Sequence, residues 1–251
     1  MALYNSSFFS GHLAGSASSA KTIVPITLDL TGARSVVDIG CGTGAWLREF
    51  ARAGVNDFLG MDGPWVRQED LLVPAESFRS ADLSSPPACD RTFDLAISLE
   101  VAEHLPESAA EGFVSALCRL APVVLFSAAI PGQGGTGHIN EQWPGYWSER
   151  FGAAGHKPID CIRARVWSNP RVQWWYAQNT LVFAKAEAVE KMPNLRAAAE
   201  RAPDVLPLVH PGCLAVHTGR RPGLSDLLRE IPGATRRAVA ARVGTRAGSS
   251  G

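Results

Sequence analysis

The stretch Val36-Val37-Asp38-Ile39-Gly40-Cys41-Gly42-Thr43-Gly44-Ala45-Trp46-Leu47 constrains the fold more than any other part of this chain. An apolar, β-branched run ends at an acid, three glycines follow at alternate positions, and a helix-like pattern then begins. Glycine lets the backbone turn this tightly and approach a ligand at contact distance. A strand-to-helix turn of this kind is where open α/β sheets bind nucleotide-like molecules.

From Arg34 onward the pattern alternates as βαβ units do. Strands are expected at 35–39, 57–61, 77–81, 93–99 and 123–127, and helices at 43–53, 107–120 and near 145–154. Residues 161–166 and 180–184 read as a closing strand pair. The expectation is an α/β, Rossmann-like, mostly parallel seven-stranded sheet with helices on both faces and one antiparallel strand. Residues 1–33 read as a helical or irregular segment with an amphipathic helix at 20–30, and 34–185 as the ligand-binding domain. Residues 186–251, rich in Ala and Arg and broken by prolines, read as a helical extension with a flexible tip, able to pair two subunits as a homodimer. The arginines at 236, 237, 242 and 246 read as a solvated helix face.

Lys and Arg number 24, as do Asp and Glu, so net charge is zero. No strong field advertises a nucleic-acid or membrane partner. The five cysteines are scattered and never spaced as CxxC, which points to buried thiols in a reducing, cytoplasmic compartment. No signal-peptide pattern opens the chain, and no apolar run approaches membrane-spanning length.

Two ligands compete for the glycine turn. Gly40-x-Gly42-x-x-Ala45 with Asp62 further on fits a dinucleotide fingerprint and hence an NAD(P)-dependent oxidoreductase. Asp38, two residues before the first glycine, suits a cationic amino-acid moiety better than a pyrophosphate. Asp82-Leu83 supplies another carboxylate at an adjacent strand end, suited to an adenine amine. The Tyr-x-x-x-Lys pair of a short-chain dehydrogenase is absent. These features favour S-adenosylmethionine.

Taken in order, Val37 to Gly44, Gly60-Met61-Asp62, Ala81-Asp82-Leu83, Phe93-Asp94-Leu95 and Glu100-Val101-Ala102-Glu103-His104-Leu105 resemble the motifs of class I S-adenosylmethionine-dependent methyltransferases. The resemblance spans about residues 34–185. It implies that Asp38, Gly40, Gly42 and Gly44 cradle the methionine and ribose portions, that Asp62 binds the ribose hydroxyls, and that Asp82 and Leu83 flank the adenine. Cys41, as a small packing residue, with Gly63 and Leu99, completes the cofactor-binding set.

Glu100, Glu103 and His104 have i, i+3, i+4 spacing and share a face if the chain there is helical. His138 lies on a glycine-rich loop after the next parallel strand. Together they could hold a divalent cation, Mg²⁺ or Mn²⁺ ahead of Fe²⁺ or Zn²⁺. The segment resembles a subset of the superfamily with Glu-x-x-Glu-His here. The small-RNA terminal 2′-O-methyltransferases pair it with a later His before a Glu/Trp-bearing stretch, as in His138-Ile139-Asn140-Glu141-Gln142-Trp143. In those relatives the metal grips substrate oxygens. An alcohol is a poor nucleophile at neutral pH, so a Lewis acid or a histidine base must help. His104, His138 and Glu100 are thus the expected catalytic residues. A second reading stays open, in which Glu100 only contacts cofactor, Glu103 is a helix-start acid and His104 is the base alone.

Gln133, Asn140, Trp143, Tyr146, Trp147 and Tyr176 are expected to shape the acceptor pocket, because aromatics beside amides stack on a ring while bonding its hydroxyls. The alternative is that the tryptophans fill the core. The expected activity is O-methylation of a small polar acceptor such as a sugar, glycan precursor or specialised metabolite. The runner-up within the superfamily is 2′-O-methylation of an RNA end, against which the neutral charge argues.

Overall fold

The structure is a computed structural model that describes residues 6–85 and 89–218. The described residues divide into two units, with the boundary between His210 and Pro211. The expected flexible tip and its arginine cluster lie outside the described residues.

Helix α1 (Ser6–Thr31) leads into β1 (Ser35–Ile39), α2 (Ala45–Arg52), β2 (Asp57–Asp62), β3 (Phe78–Ser80) and β4 (Leu95–Leu99). Then come α3 (Ala110–Leu120), β5 (Val123–Ser127), α4 (Pro144–Ala153), β6 (His156–Ile159), α5 (Arg163–Val166), α6 (Trp174–Asn179) and β7 (Leu181–Lys185). Helices α7 (Ala186–Lys191) and α8 (Pro193–Ala199) follow, and α9 (Pro211–Thr218) belongs to the other unit. The sheet order is β3-β2-β1-β4-β5-β7-β6, with β7 antiparallel to both its neighbours and the other pairs parallel. The strand order reverses between β1 and β4, which opens a crevice at their carboxyl ends where such sheets bind ligands.

Both faces of the sheet are covered, so the central strands are apolar throughout instead of alternating. Val36, Leu95, Ile97 and Leu125 face a core built with Ile23, Trp46, Leu47, Phe50 and Leu195. Val37, Ala96, Val124 and Phe126 face another core built with Phe113, Leu117, Trp147 and Phe151. Residues 186–210, read from sequence as part of the extension, pack into the first unit: Ala188 and Leu195 are buried there, and Asn194 Nδ2 donates to Asp29 O at 2.9 Å.

One strand assignment is corrected. Residues 161–166 do not form a strand; the sheet's last strand is β6, and Arg163–Val166 is helical. Gly155, at φ 80°, turns the chain out of α4 straight into β6. Pro158 is tolerated because β6 is an edge strand paired only with β7. The buried Arg163 guanidinium, at the start of α5, then reaches back to Asp160 across the bend that follows β6, a pairing that an extended strand would not allow. Among the described residues no helix is long and apolar enough to cross a membrane.

Leu195→Ala is expected to lower stability by about 2–5 kcal/mol, the range for emptying a buried leucine site. Denaturant unfolding checks this; a loss under about 1 kcal/mol would mean that α8 does not share the main core.

Candidate active site

The glycine turn is built to be crowded. Gly40, Gly42 and Gly44 all have positive φ, and a Cβ on Gly40 would stand 2.3 Å from Val101 Cγ2. The Gly40 and Cys41 amides donate to Met61 O at 2.7 and 3.2 Å. The Asp62 carboxylate ties the same region together: Oδ2 accepts from Gly42 N and Oδ1 from Gly63 N, both at 2.6 Å. Burial raises its pKa, and a hydrogen bond from the Trp65 indole opposes that rise. Asp38 is buried, with no hydrogen-bond partner on Oδ2 among the described residues. Burial, then the neighbouring Asp62, pushes its pKa well up. A cation arriving beside Asp38 would relieve both effects.

Cys41 is buried and donates to Gly42 O at 3.4 Å, and burial pushes its thiol well up, as suits packing. Leu99 and Leu83 are buried at their strand ends. Asp82 is exposed and engaged locally, accepting from Ser84 N at 2.9 Å and Ser84 Oγ at 2.7 Å, bonds that lower its pKa.

The expected helix over Glu100–His104 does not form. Glu100 sits at φ 57°, its amide donating to Ser127 O at 3.0 Å and Ser127 Oγ at 3.1 Å, and a 3₁₀ turn spans Ala102–His104. The left-handed residue splits the set. Glu100 accepts from Gln133 Nε2 at 3.0 Å and from Asn179 Nδ2 at 3.0 Å. Glu103, His104 and His138 come together instead, each offering a ligand atom, all within 4.8 Å of one another. Glu100 is not part of this group.

Glu103 has 0% exposure, and neither carboxylate oxygen has a side-chain donor among the described residues, only the Glu103 and Ala129 backbone amides standing near it. Burial, then Glu100, pushes its pKa well up. Its backbone oxygen accepts from Ile139 N at 2.9 Å and Asn140 N at 3.0 Å, which fastens the glycine-rich loop to the 3₁₀ turn. His104 Nδ1 lies 3.3 Å from Gly137 O, so in the neutral ring it carries the proton. Burial, then His138, lowers its pKa to about 4. The two imidazoles meet edge to face at 4.8 Å.

His138 Nδ1 lies 2.9 Å from Glu141 Oε1. Glu141 also accepts from Gly132 N at 2.8 Å and Gly134 N at 2.7 Å. This residue, unassigned from sequence, organises the loop and fixes the neutral His138 lone pair on Nε2. Its i+3 spacing from His138 was the available signal. Asn179 and Gln178 read from sequence only as amides among the aromatics, because only the fold brings them to Glu100.

The expected acceptor residues divide. Trp147 is core, packed against Phe126 at 5.2 Å, and Tyr176 is core on the other face, against Trp46 at 5.1 Å with its hydroxyl on Ser16 Oγ at 3.0 Å. Both assignments are therefore corrected to packing. Gln133 is buried in the amide contacts of Glu100. Asn140, buried, accepts from Gln142 Nε2 at 3.0 Å. Trp143 (40% exposed) and Ile139 (66%) stand open near His138 in the chain. Tyr146 lies under the Arg150 guanidinium, 3.3 Å from ring centre to carbon.

A glycine turn between β1 and α2, an acid at the end of β2 and this strand order define a class I S-adenosylmethionine-dependent methyltransferase. The chain belongs to the methyltransferase-domain family, whose family model matches residues 18–157. Its fold is similar to that of DesVI from Streptomyces venezuelae, at 15% identity and TM-score 0.52, over 71% of this chain and 95% of that one. It is also similar to the sugar N-methyltransferase KedS8 from Streptoalloteichus, at 18% identity and TM-score 0.51, over 74% and 96%. The methyltransferase domain of bacterial CtHen1-C aligns at 18% identity and TM-score 0.50, over 68% and 98%. No curated protein sequence matches. Family membership removes the nicotinamide reading of the glycine turn.

Gly40→Ala is expected to weaken S-adenosylhomocysteine binding at least about tenfold, because left-handed strain of roughly 1–2 kcal/mol adds to the clash with Val101. Isothermal titration measures it; an unchanged Kd would show that the turn yields without disturbing the ligand.

Proposed function

We propose that this methyltransferase acts on a hydroxyl oxygen of a small polar molecule (a sugar, a glycan precursor or a specialised metabolite). Glu103, His104 and His138 would hold Mn²⁺ or Mg²⁺ beside the acceptor. The observation that carries the reading is Glu103, a fully buried carboxylate without a side-chain donor, beside two imidazoles. An uncompensated buried charge costs several kcal/mol, roughly, and a cation or a proton removes that cost. One carboxylate oxygen with two imidazole nitrogens is a mixed donor set that fits such an ion. When bound, it would act as a Lewis acid on the acceptor hydroxyl.

S-adenosylmethionine supplies a methyl group on a sulfonium. Asp38 fits the donor's ammonium group and Asp62 its ribose hydroxyls, each hydroxyl donating to the carboxylate. With a cation held there, the His104 Nε2 lone pair would be a ligand and the acceptor proton would leave to water; without one, His104, its pKa lowered to about 4 and its proton on Nδ1, takes the acceptor proton on Nε2. The acceptor oxygen forms its bond to the methyl carbon as the carbon–sulfur bond breaks, the electron pair leaving on sulfur. In the cation-free case positive charge passes from sulfonium to the His104 imidazolium, which lies beside Glu103. Five free thiols accord with work in a reducing cytoplasm.

The same three residues favour a second reading, methylation of an RNA 2′-hydroxyl, and net charge zero weighs against it. Undetectable RNA binding at low salt would close that reading.

Methyl-labelled cofactor incubated with metabolite extracts is expected to give an O-methylated product by mass spectrometry. An N-methylated product would overturn the oxygen assignment. Glu103→Gln and His138→Ala are expected to weaken Mn²⁺ binding at least about tenfold while leaving S-adenosylhomocysteine affinity within about twofold. Full activity in EDTA would remove the cation from the mechanism.

A further inference from the structure

Residues 202–210 form neither helix nor strand, yet this surface strap is fastened at three places. Arg163, 1% exposed, donates from Nη1 to Leu206 O at 3.0 Å while Nε and Nη2 grip Asp160 Oδ2 at 3.0 and 2.5 Å. The His210 ring lies 4.7 Å from that of Trp167, with Nε2 2.7 Å from Trp167 O. The His210 backbone amide donates to Gln178 Oε1 at 2.8 Å.

Gln178 is fully buried, and its carboxamide is committed at both ends. Nε2 donates to Gln133 Oε1 at 2.9 Å and to Asn179 Oδ1 at 3.0 Å. Gln133 Nε2 donates to Glu100 Oε2 at 3.0 Å, and Asn179 Nδ2 is shared between Glu100 Oε1 at 3.0 Å and Gln133 Oε1 at 2.9 Å. A carboxamide can be reversed end for end, but a backbone N–H can only donate. The strap amide therefore requires Oε1 of Gln178 to face it. That orients Gln178 Nε2 inward and makes Gln133 and Asn179 acceptors towards it, in line with the Ile130 N–H that also reaches Gln133 Oε1 at 3.4 Å and with the donors that both residues present to the carboxylate. Glu100 is the described non-glycine residue held at positive φ, a conformation that persists where surrounding contacts over-determine it. Val101, the next residue, packs on Gly40 of the cofactor turn.

We propose that Gln178 is a positioning residue for Glu100, and that the 202–210 strap sets its direction through the His210 N–H. The proposal rests on the reading of Glu100's surroundings as the active site.

His210→Pro deletes the one N–H donor, whereas His210→Ala deletes the ring and keeps the donor. NMR of the full chain follows the side-chain amide protons of Gln133 and Asn179 and the Glu100 carboxylate carbon. His210→Pro and Gln178→Ala are expected to speed exchange of those amide protons at least roughly fivefold, about the worth of one hydrogen bond. Both are expected to shift the Glu100 carbon and to weaken S-adenosylhomocysteine binding by a similar factor; His210→Ala should resemble wild type. If Gln178→Ala does not fold, the surface substitution at 210 still decides. Wild-type exchange and an unshifted Glu100 carbon in His210→Pro would overturn the proposal, and so would equal effects of Pro and Ala. Failure of the wild type to bind S-adenosylhomocysteine would sink the functional reading alone, since the NMR comparison scores the relay without it.

Discussion

The Asp62 carboxylate joins the parts on which the site depends. Its two oxygens accept from Gly42 and Gly63, so one side chain closes the turn after β1 and the loop after β2. Parallel neighbours bring these ends to the same edge, and the register Ile39 to Met61 places the acid beside the glycines. Charge-assisted bonds to backbone N–H groups are among the stronger that a fold can make, and they offset the burial of the carboxylate. Asp38, close by, has no such compensation on Oδ2. One acid holds the turn in shape; the other is left with an oxygen in want of a partner.

The same division recurs between Glu100 and Glu103. They stand only three positions apart, yet Glu100 is supplied with side-chain amide donors and Glu103, among the described residues, has no side-chain donor. Environment thus assigns opposite tasks to chemically identical groups. The left-handed backbone at Glu100 produces the split, since an α-helix would have put both carboxylates on one face.

The parallel sheet, its order of elements and the cofactor turn were legible in the sequence because apolar runs, alternate glycines and strand-end acids are local signals. The edge strand was misplaced because Cys161–Val166 is apolar enough to pass for one, while His156–Ile159 carries a histidine and a proline that only an edge tolerates. The convergence of Glu103, His104 and His138 was anticipated from spacing, although through a helix that a 3₁₀ turn replaces. Trp147 and Tyr176 could not be sorted from Trp143 by composition, since an aromatic ring serves a core and a pocket equally well. The Gln178 relay had no local signature at all: its members come from four separate stretches of chain.

That relay gives the order of synthesis a chemical meaning. A ribosome finishes the sheet, the glycine turn and the paired histidines before it adds His210, whose amide faces Gln178. A nascent chain halted a few residues earlier would own the glycine turn, Glu100 and both histidines. It would still lack the N–H that meets Gln178 Oε1.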